Sequence, residues 1–175
     1  MKLEQALALI RPIPDYPKPG ILFQDITPLL SNGNAFSAVT SELATFANEC
    51  DVVAGIEARG FIFASALANQ LNCGFVPIRK AGKLPHEVFS QNYGLEYGAD
   101  TLEIHVDALK NTRQVLLVDD VLATGGTLEA AIDLIEMAGG QVNQIVALLE
   151  IQSLDGRKRL ANKYPNIRLS SLVIA

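Results

Sequence analysis

The densest chemistry in the sequence lies in Asp119-Asp120-Val121-Leu122-Ala123-Thr124-Gly125-Gly126-Thr127. Two adjacent carboxylates lead into a loop of small residues. Gly125 and Gly126 have no Cβ, so the loop from Ala123 to Thr127 can turn several backbone N–H groups inward. The hydroxyls of Thr124 and Thr127 add donors. The run before it, Val115-Leu116-Leu117-Val118, is continuously apolar, as expected of a strand buried on both faces. The run after it, Thr127 to Met137, has helical periodicity and stops at Gly139-Gly140. A helix N-terminus behind such a loop adds positive potential. The combination suits a monophosphate, and acceptors beside a phosphate cradle suit the vicinal hydroxyls of a ribose 5-phosphate. In isolation the two Asp and two Gly would read as a turn and a helix cap; strand, carboxylates, loop and helix in one order argue for the site. It is not the dinucleotide fingerprint, because Gly-x-Gly-x-x-Gly is absent, nor a P-loop, because no Lys follows the glycines.

A second group of residues could hold an anion. Arg59, Arg79, Lys80 and Lys83 concentrate positive charge, and residues 84–109 contain no Lys or Arg. Arg59 falls between an apolar strand, Val52 to Ile56, and a helix from Gly60 to Leu71. The bland alternative for the cluster is a solvated surface patch. His86 and His105 are the two histidines, and neither is given a role.

The elements that must position these residues alternate. Strands are expected at Val52–Ile56, Phe75–Ile78, Thr101–Val106, Val115–Val118, Gln144–Glu150 and Ile167–Val173. Helices are expected at Gly60–Leu71 and Thr127–Met137, and another with Phe36, Val39, Leu43 and Phe46 on one face behind an Asn34 cap. This order implies an α/β fold with a mostly parallel central sheet flanked by helices. Two stretches break the rhythm. Residues 12–34, rich in Pro and Gly, read as an irregular arm with one extended piece, Ile21 to Phe23. Residues 79–100 read as a long connection without regular structure, of the kind that serves as a lid.

The composition sets bounds. The chain of 175 residues fits one domain; 49% of residues are apolar and 19% charged, which excludes a disordered or fibrous chain. The net charge of 14 − 19 = −5 argues against nucleic-acid binding. Cys50 and Cys73 cannot make a disulfide framework, so a reduced, cytoplasmic setting is expected, with both buried in packing. No stretch reaches the roughly 20 apolar residues of a membrane span. Glu4, Gln5 and Arg11-Pro12 interrupt the apolar start, which reads as a surface helix rather than a signal peptide.

The Asp119–Thr127 segment resembles the phosphoribosyl-pyrophosphate-binding signature of the phosphoribosyltransferases. The blocks Tyr16 to Pro28, Glu57 to Phe61, Val76 to Lys80, Gly82 to Pro85 and Leu95 to Gly98 resemble the adenine branch of that family, in its order. The resemblance covers nearly the whole chain. It implies transfer of a 5-phosphoribosyl group to adenine, giving AMP and diphosphate, with Mg²⁺, in a homodimer. It places Asp119, Asp120, Ala123, Thr124, Gly125, Gly126 and Thr127 on the ribose and phosphate. It places Arg59 on the diphosphate or base edge, and Arg79, Lys80 and Lys83 on the diphosphate, either within one chain or across a dimer interface. Glu96 becomes the candidate for the proton lost by adenine, and Tyr97 helps to close the lid. Leu22, Phe23 and Gln24 form a hood over the base, read by backbone groups at Leu22 and Gln24, with Ile151 on its other face. No protein ligand to Mg²⁺ is assigned, because substrate oxygens and water hold that ion well.

Gln24 departs from the pattern, where Arg is usual, and removes a cation. Ala64 stands where Gly is more usual. Gln24 alone invites a rival transferase for guanine, hypoxanthine or xanthine. A regulator that senses phosphoribosyl pyrophosphate would need a basic nucleic-acid-binding appendage, and 11 residues before Pro12 leave no room for one. A nucleotide-binding domain without transferase activity would leave the cation cluster and the lid unexplained.

Overall fold

The structure is a computed structural model of the chain; residues 1–47, 49–94, 100–110 and 114–175 are described. They form two compact units, Met1–Thr45 and Phe46–Ala175.

The first unit holds helix α1 (Leu3–Leu7), strands β1 (Arg11–Ile13) and β2 (Phe23–Asp25), and helices α2 (Thr27–Leu30) and α3 (Gly33–Phe46). The arm is therefore more regular than its composition suggests. β1 and β2 pair antiparallel, with Arg11 opposite Asp25. Arg11 Nη2 lies 2.5 Å from Asp25 Oδ2, and Asp25 Oδ1 accepts from Thr27 N at 2.9 Å. Hydrogen bonds from Thr27 and Arg11 hold the Asp25 carboxyl down at about 2. The cap of α3 is Asn32, not Asn34: Asn32 Oδ1 accepts from Ala35 N at 3.1 Å.

The second unit is built on strands β3 (Val52–Ile56), β4 (Gly74–Lys80), β5 (Val88–Tyr93), β6 (Asp100–His105), β7 (Gln114–Leu122), β8 (Gln141–Glu150) and β9 (Arg168–Ile174). Their order in one sheet is β5-β6-β4-β3-β7-β8-β9. β4, β3, β7, β8 and β9 run parallel; β5 and β6 add an antiparallel hairpin to the β4 edge. The hairpin corrects the reading of residues 79–100 as unstructured. Its outer strand, Val88-Phe89-Ser90-Gln91-Asn92-Tyr93, pairs with β6 along its whole length.

Helices α4 (Gly60–Leu71), α5 (Gly126–Met137) and α6 (Gly156–Lys163) cover the sheet. The interior strands are buried on both faces, which explains their unbroken apolar runs. Ala54, Ile56, Val115, Leu117 and Ile145 share a core with Leu128, Ile132 and Ile135 of α5. Gly55 faces α4, where an added Cβ would lie 2.5 Å from the Ala64 Cβ and 3.0 Å from the Phe75 ring. Helix and strand touch here through their smallest side chains, and that contact sets how α4 presents its first residues at the strand ends. Gly55→Ala is expected to destabilise the protein by about 1–3 kcal/mol, the usual cost of overpacking; denaturant titration measures it, and an unchanged midpoint would contradict this packing.

Candidate active site

The residues singled out from the sequence gather at the carboxyl ends of the parallel strands, where open α/β sheets bind ligands. β7 does not stop before its carboxylates. It runs on through Asp119 and Asp120 to Leu122, so both Asp residues are held by the sheet itself. Both are buried, at 8% and 5% exposure. Burial, then the neighbouring Asp120, pushes the Asp119 carboxyl well above the ordinary range. Burial also raises Asp120, against the pull of Arg59. Arg59 Nη2 lies 2.7 Å from Asp120 Oδ2, and Asp119 Oδ1 accepts from Asp120 N at 2.9 Å.

Beyond the strand, Asp119, Val121, Ala123, Thr124, Gly125, Thr127 and Leu128 line a pocket of about 100 Å³. Its loop turns through Gly125, at φ +84°, into the N-terminus of α5 at Gly126. A wider cavity of about 690 Å³ adjoins it, lined in part by Thr124, Gly126, Thr127, Tyr93 and Gly94. The loop rests on the first residue of α6. A Cβ on Gly156 would come 2.1 Å from Ala123 O and 3.0 Å from Gly125 N. Gly60 is similarly constrained on the other side, since its Cβ would meet Asp119 Oδ1 at 2.8 Å.

The cations are placed by neighbouring strand ends. Glu57 follows β3, and the peptide between it and Ala58 is cis. Its carboxylate accepts from Arg79 Nε and Nη2 at 3.2 and 3.1 Å, and from Lys80 N at 3.0 Å. The Arg79 hydrogen bonds hold Glu57 below its ordinary value. Arg79 Nη1 also donates to Lys83 O at 3.1 Å, which ties the turn carrying the exposed Lys83. Lys80 Nζ lies 2.7 Å from Asp100 Oδ2. Arg79 is thus a clamped side chain rather than part of a freely solvated patch.

Ile151 ends the β8 side: its N–H donates to Leu122 O at 2.9 Å, beside the end of β7. In the first unit Leu22 is exposed, while Phe23 and Gln24 are half-buried on β2, with Phe23 edge-to-face against Tyr16. Glu96 and Tyr97 lie outside the described residues. Among the described residues no three His, Cys, Asp or Glu side chains cluster closely enough to hold a metal ion, and no helix is long and apolar enough to cross a membrane.

The phosphoribosyl transferase domain matches residues 25–172. The chain belongs to the phosphoribosyltransferase family. Within that family, adenine phosphoribosyltransferase of Thermobifida fusca is 55% identical over 155 residues, 87% of this chain and 88% of that protein. The crystal structure of adenine phosphoribosyltransferase from Thermoanaerobacter pseudethanolicus matches with a TM-score of 0.91 at 47% identity, covering 99% of this chain and 100% of that one. The APRTase of Giardia lamblia, complexed with 9-deazaadenine, matches with a TM-score of 0.91 at 42% identity, covering 100% of this chain and 98% of that one.

Three residues that the fold brings against these side chains and this loop were not singled out in the sequence: Glu57, Asp100 and Gly156. Glu57 stood inside a quoted block, but its partner Arg79 is 22 positions away, and no local spacing reveals that pair. Gly156 shows only as a small residue before a polar helix. Gly156→Ala is expected to shift the loop and weaken ribose 5-phosphate binding by about tenfold or more, ~1.4 kcal/mol. Calorimetry on protein of unchanged fold reads this directly; an unaltered Kd would mean that α6 does not set the loop.

Proposed function

We infer that the chain transfers the 5-phosphoribosyl group of 5-phospho-α-D-ribose 1-diphosphate to adenine, giving AMP and diphosphate, a step of purine salvage. The observation that carries this is the strand end itself: two buried carboxylates leading straight into a glycine-turned phosphate loop. Adenine as the base is supported by the relatives named above, which are adenine phosphoribosyltransferases.

In this reading the loop from Ala123 to Thr127 holds the 5-phosphate through backbone N–H groups and the hydroxyls of Thr124 and Thr127. Asp119 and Asp120 accept hydrogen bonds from the ribose hydroxyls. The bond from C1 of the ribose to the diphosphate oxygen breaks, and a bond from C1 to adenine nitrogen forms. Arg59, Arg79, Lys80 and Lys83 neutralise the departing diphosphate. Glu96 takes the proton that adenine loses or orients the base, and Tyr97 helps to exclude water from the cation-like ribose. Leu22, Phe23 and Gln24 and, separately, Ile151 are assigned to adenine on the family resemblance. A backbone reader offers a donor–acceptor pattern that 6-oxopurines do not match.

The side chains at the strand end fit a Mg²⁺ that arrives on the substrate. Asp120 is engaged by Arg59, so substrate oxygens and water would complete most of the coordination, with Asp119 and Asp120 the carboxylates at hand. When bound, the ion supplies charge neutralisation to the diphosphate. A homodimer and a cytoplasmic setting belong to the same proposal, the first from the resemblance and the second from the paucity of cysteine.

The deciding experiment offers Mg²⁺, phosphoribosyl pyrophosphate and equal adenine, guanine, hypoxanthine and xanthine to the purified protein, and separates the products. AMP alone is expected. Another nucleotide would move base choice to the arm around Gln24, and no nucleotide from folded protein would overturn the enzyme. Glu96→Gln should lower kcat by about 10²-fold or more with phosphoribosyl pyrophosphate binding nearly intact, the usual scale for a lost proton acceptor. Unchanged turnover would remove Glu96 from the chemistry.

A further inference from the structure

Two residues assigned no role, Tyr93 and Asp100, form a triad with Lys80 that joins the β5–β6 hairpin to the cation cluster. Asp100 opens β6 and Tyr93 ends β5, and the two are direct partners across the ladder. Asp100 Oδ2 accepts from the Tyr93 hydroxyl at 3.0 Å and lies 2.7 Å from Lys80 Nζ. Tyr93 lines the same cavity as Thr127 of the loop that leads into α5. The triad therefore spans the two regions that a phosphoribosyl diphosphate would occupy.

The cations assigned to the diphosphate are balanced in different ways. Arg59 is matched by a buried carboxylate, Asp120. Arg79 is matched by Glu57, which also accepts from the Lys80 backbone and so belongs to the framework. Lys80 faces Asp100 across a single ion contact, with side chains 51% and 46% exposed. Exposed pairs of this kind are weak, so this is the contact that a polyanion opens most readily.

We propose that Asp100 is a positioning residue that competes with the diphosphate for Lys80, orienting the ammonium beforehand and weakening product retention, while Tyr93 keeps the released carboxylate hydrogen-bonded. This rests on the assignment of Lys80 to the diphosphate. A multiply charged diphosphate attracts Lys80 more strongly than one carboxylate does, so the exchange runs toward the ligand. Asp100 then remains nearby as a like charge, which opposes tight holding of the product. Its hydrogen bond from Tyr93 means that it is not stranded when Lys80 leaves. Burial and Asp100 push the Tyr93 hydroxyl up to about 12, so it stays protonated and able to donate at neutral pH.

Calorimetry with Mg²⁺–diphosphate and, separately, ribose 5-phosphate tests this on Asp100→Asn, Lys80→Ala and the double variant. Asp100→Asn should tighten diphosphate roughly two- to fivefold, the scale of an exposed ion pair. It should leave ribose 5-phosphate unchanged and lower KM for phosphoribosyl pyrophosphate more than it alters kcat. The gain should shrink with added salt and vanish in the Lys80→Ala background. Unchanged or weaker diphosphate binding in Asp100→Asn, with weakened binding in Lys80→Ala, would overturn the competition and leave Lys80 in place. No effect of Lys80→Ala would remove Lys80 from the diphosphate site and the proposal with it. A gain for ribose 5-phosphate as well would show a general field effect and also overturn it.

Discussion

Two carboxylates buried side by side at the end of β7 are the constraint around which the second unit is arranged. Burial disfavours the charged form of both, and the neighbouring Asp120 makes Asp119 harder still to ionise. The fold answers with partners of different kinds. Asp120 has the guanidinium of Arg59 at 2.7 Å. Asp119 has the Asp120 N–H on one oxygen, and the pocket of the phosphate loop beside it. Such a site gains from any ligand that brings hydroxyl donors to Asp119, because the donors replace the solvation that burial took away. A ribose with vicinal hydroxyls does so, and an apolar ligand does not.

Keeping that arrangement compact requires three close backbone approaches. Gly55 lets α4 sit low on the sheet, Gly60 brings the start of α4 against Asp119, and Gly156 lets α6 touch the loop between β7 and α5. Only at Gly125, with φ +84°, is backbone conformation the reason for glycine; at the other three the reason is space. Arg157 fixes the α6 contact from behind. It holds Glu150 at the end of β8 and donates to Leu169 O and Ser171 Oγ on β9. Helix, loop and outer strands are therefore tied together, and the residue after Glu150, Ile151, is tied to the same support.

The sequence disclosed whatever could be recognised within about fifteen consecutive residues. The strand–Asp119–Asp120–loop–helix order was readable because strand burial, glycine spacing and helix period all occur in one segment. α4 was legible to the residue, because Arg59 precedes an amphipathic run that ends before Asn72 in a left-handed conformation. β5 was hidden because Ser90, Gln91 and Asn92 replace apolar residues in a strand on the sheet edge, where one face meets solvent and β-propensity loses its meaning. The β1–β2 ribbon was hidden by prolines, which edge strands tolerate. Glu57, Asp100 and Gly156 were illegible for a different reason. Their roles exist only as partnerships across the fold, Glu57 with Arg79 and Gly156 with Ala123, and nothing in either local segment encodes the other half.

The electrostatics at the strand ends follow from the same division. The chain is acidic overall, with a net charge of −5, yet it must receive a highly charged anion. A cluster of unbalanced cations would meet that need at the expense of mutual repulsion and of indiscriminate anion binding. Pairing Arg59, Arg79 and Lys80 each with a carboxylate removes the repulsion and orients the side chains at the ends of two strands, β3 and β4. The pairs then grade by exposure, from the covered Asp120 to the half-exposed Asp100. Buried pairs hold geometry because breaking them strands a charge; exposed pairs exchange partners at little cost. A site graded in this way has a rigid half at the end of β7 and one outer cation, Lys80, whose exposed carboxylate partner is the most readily exchanged.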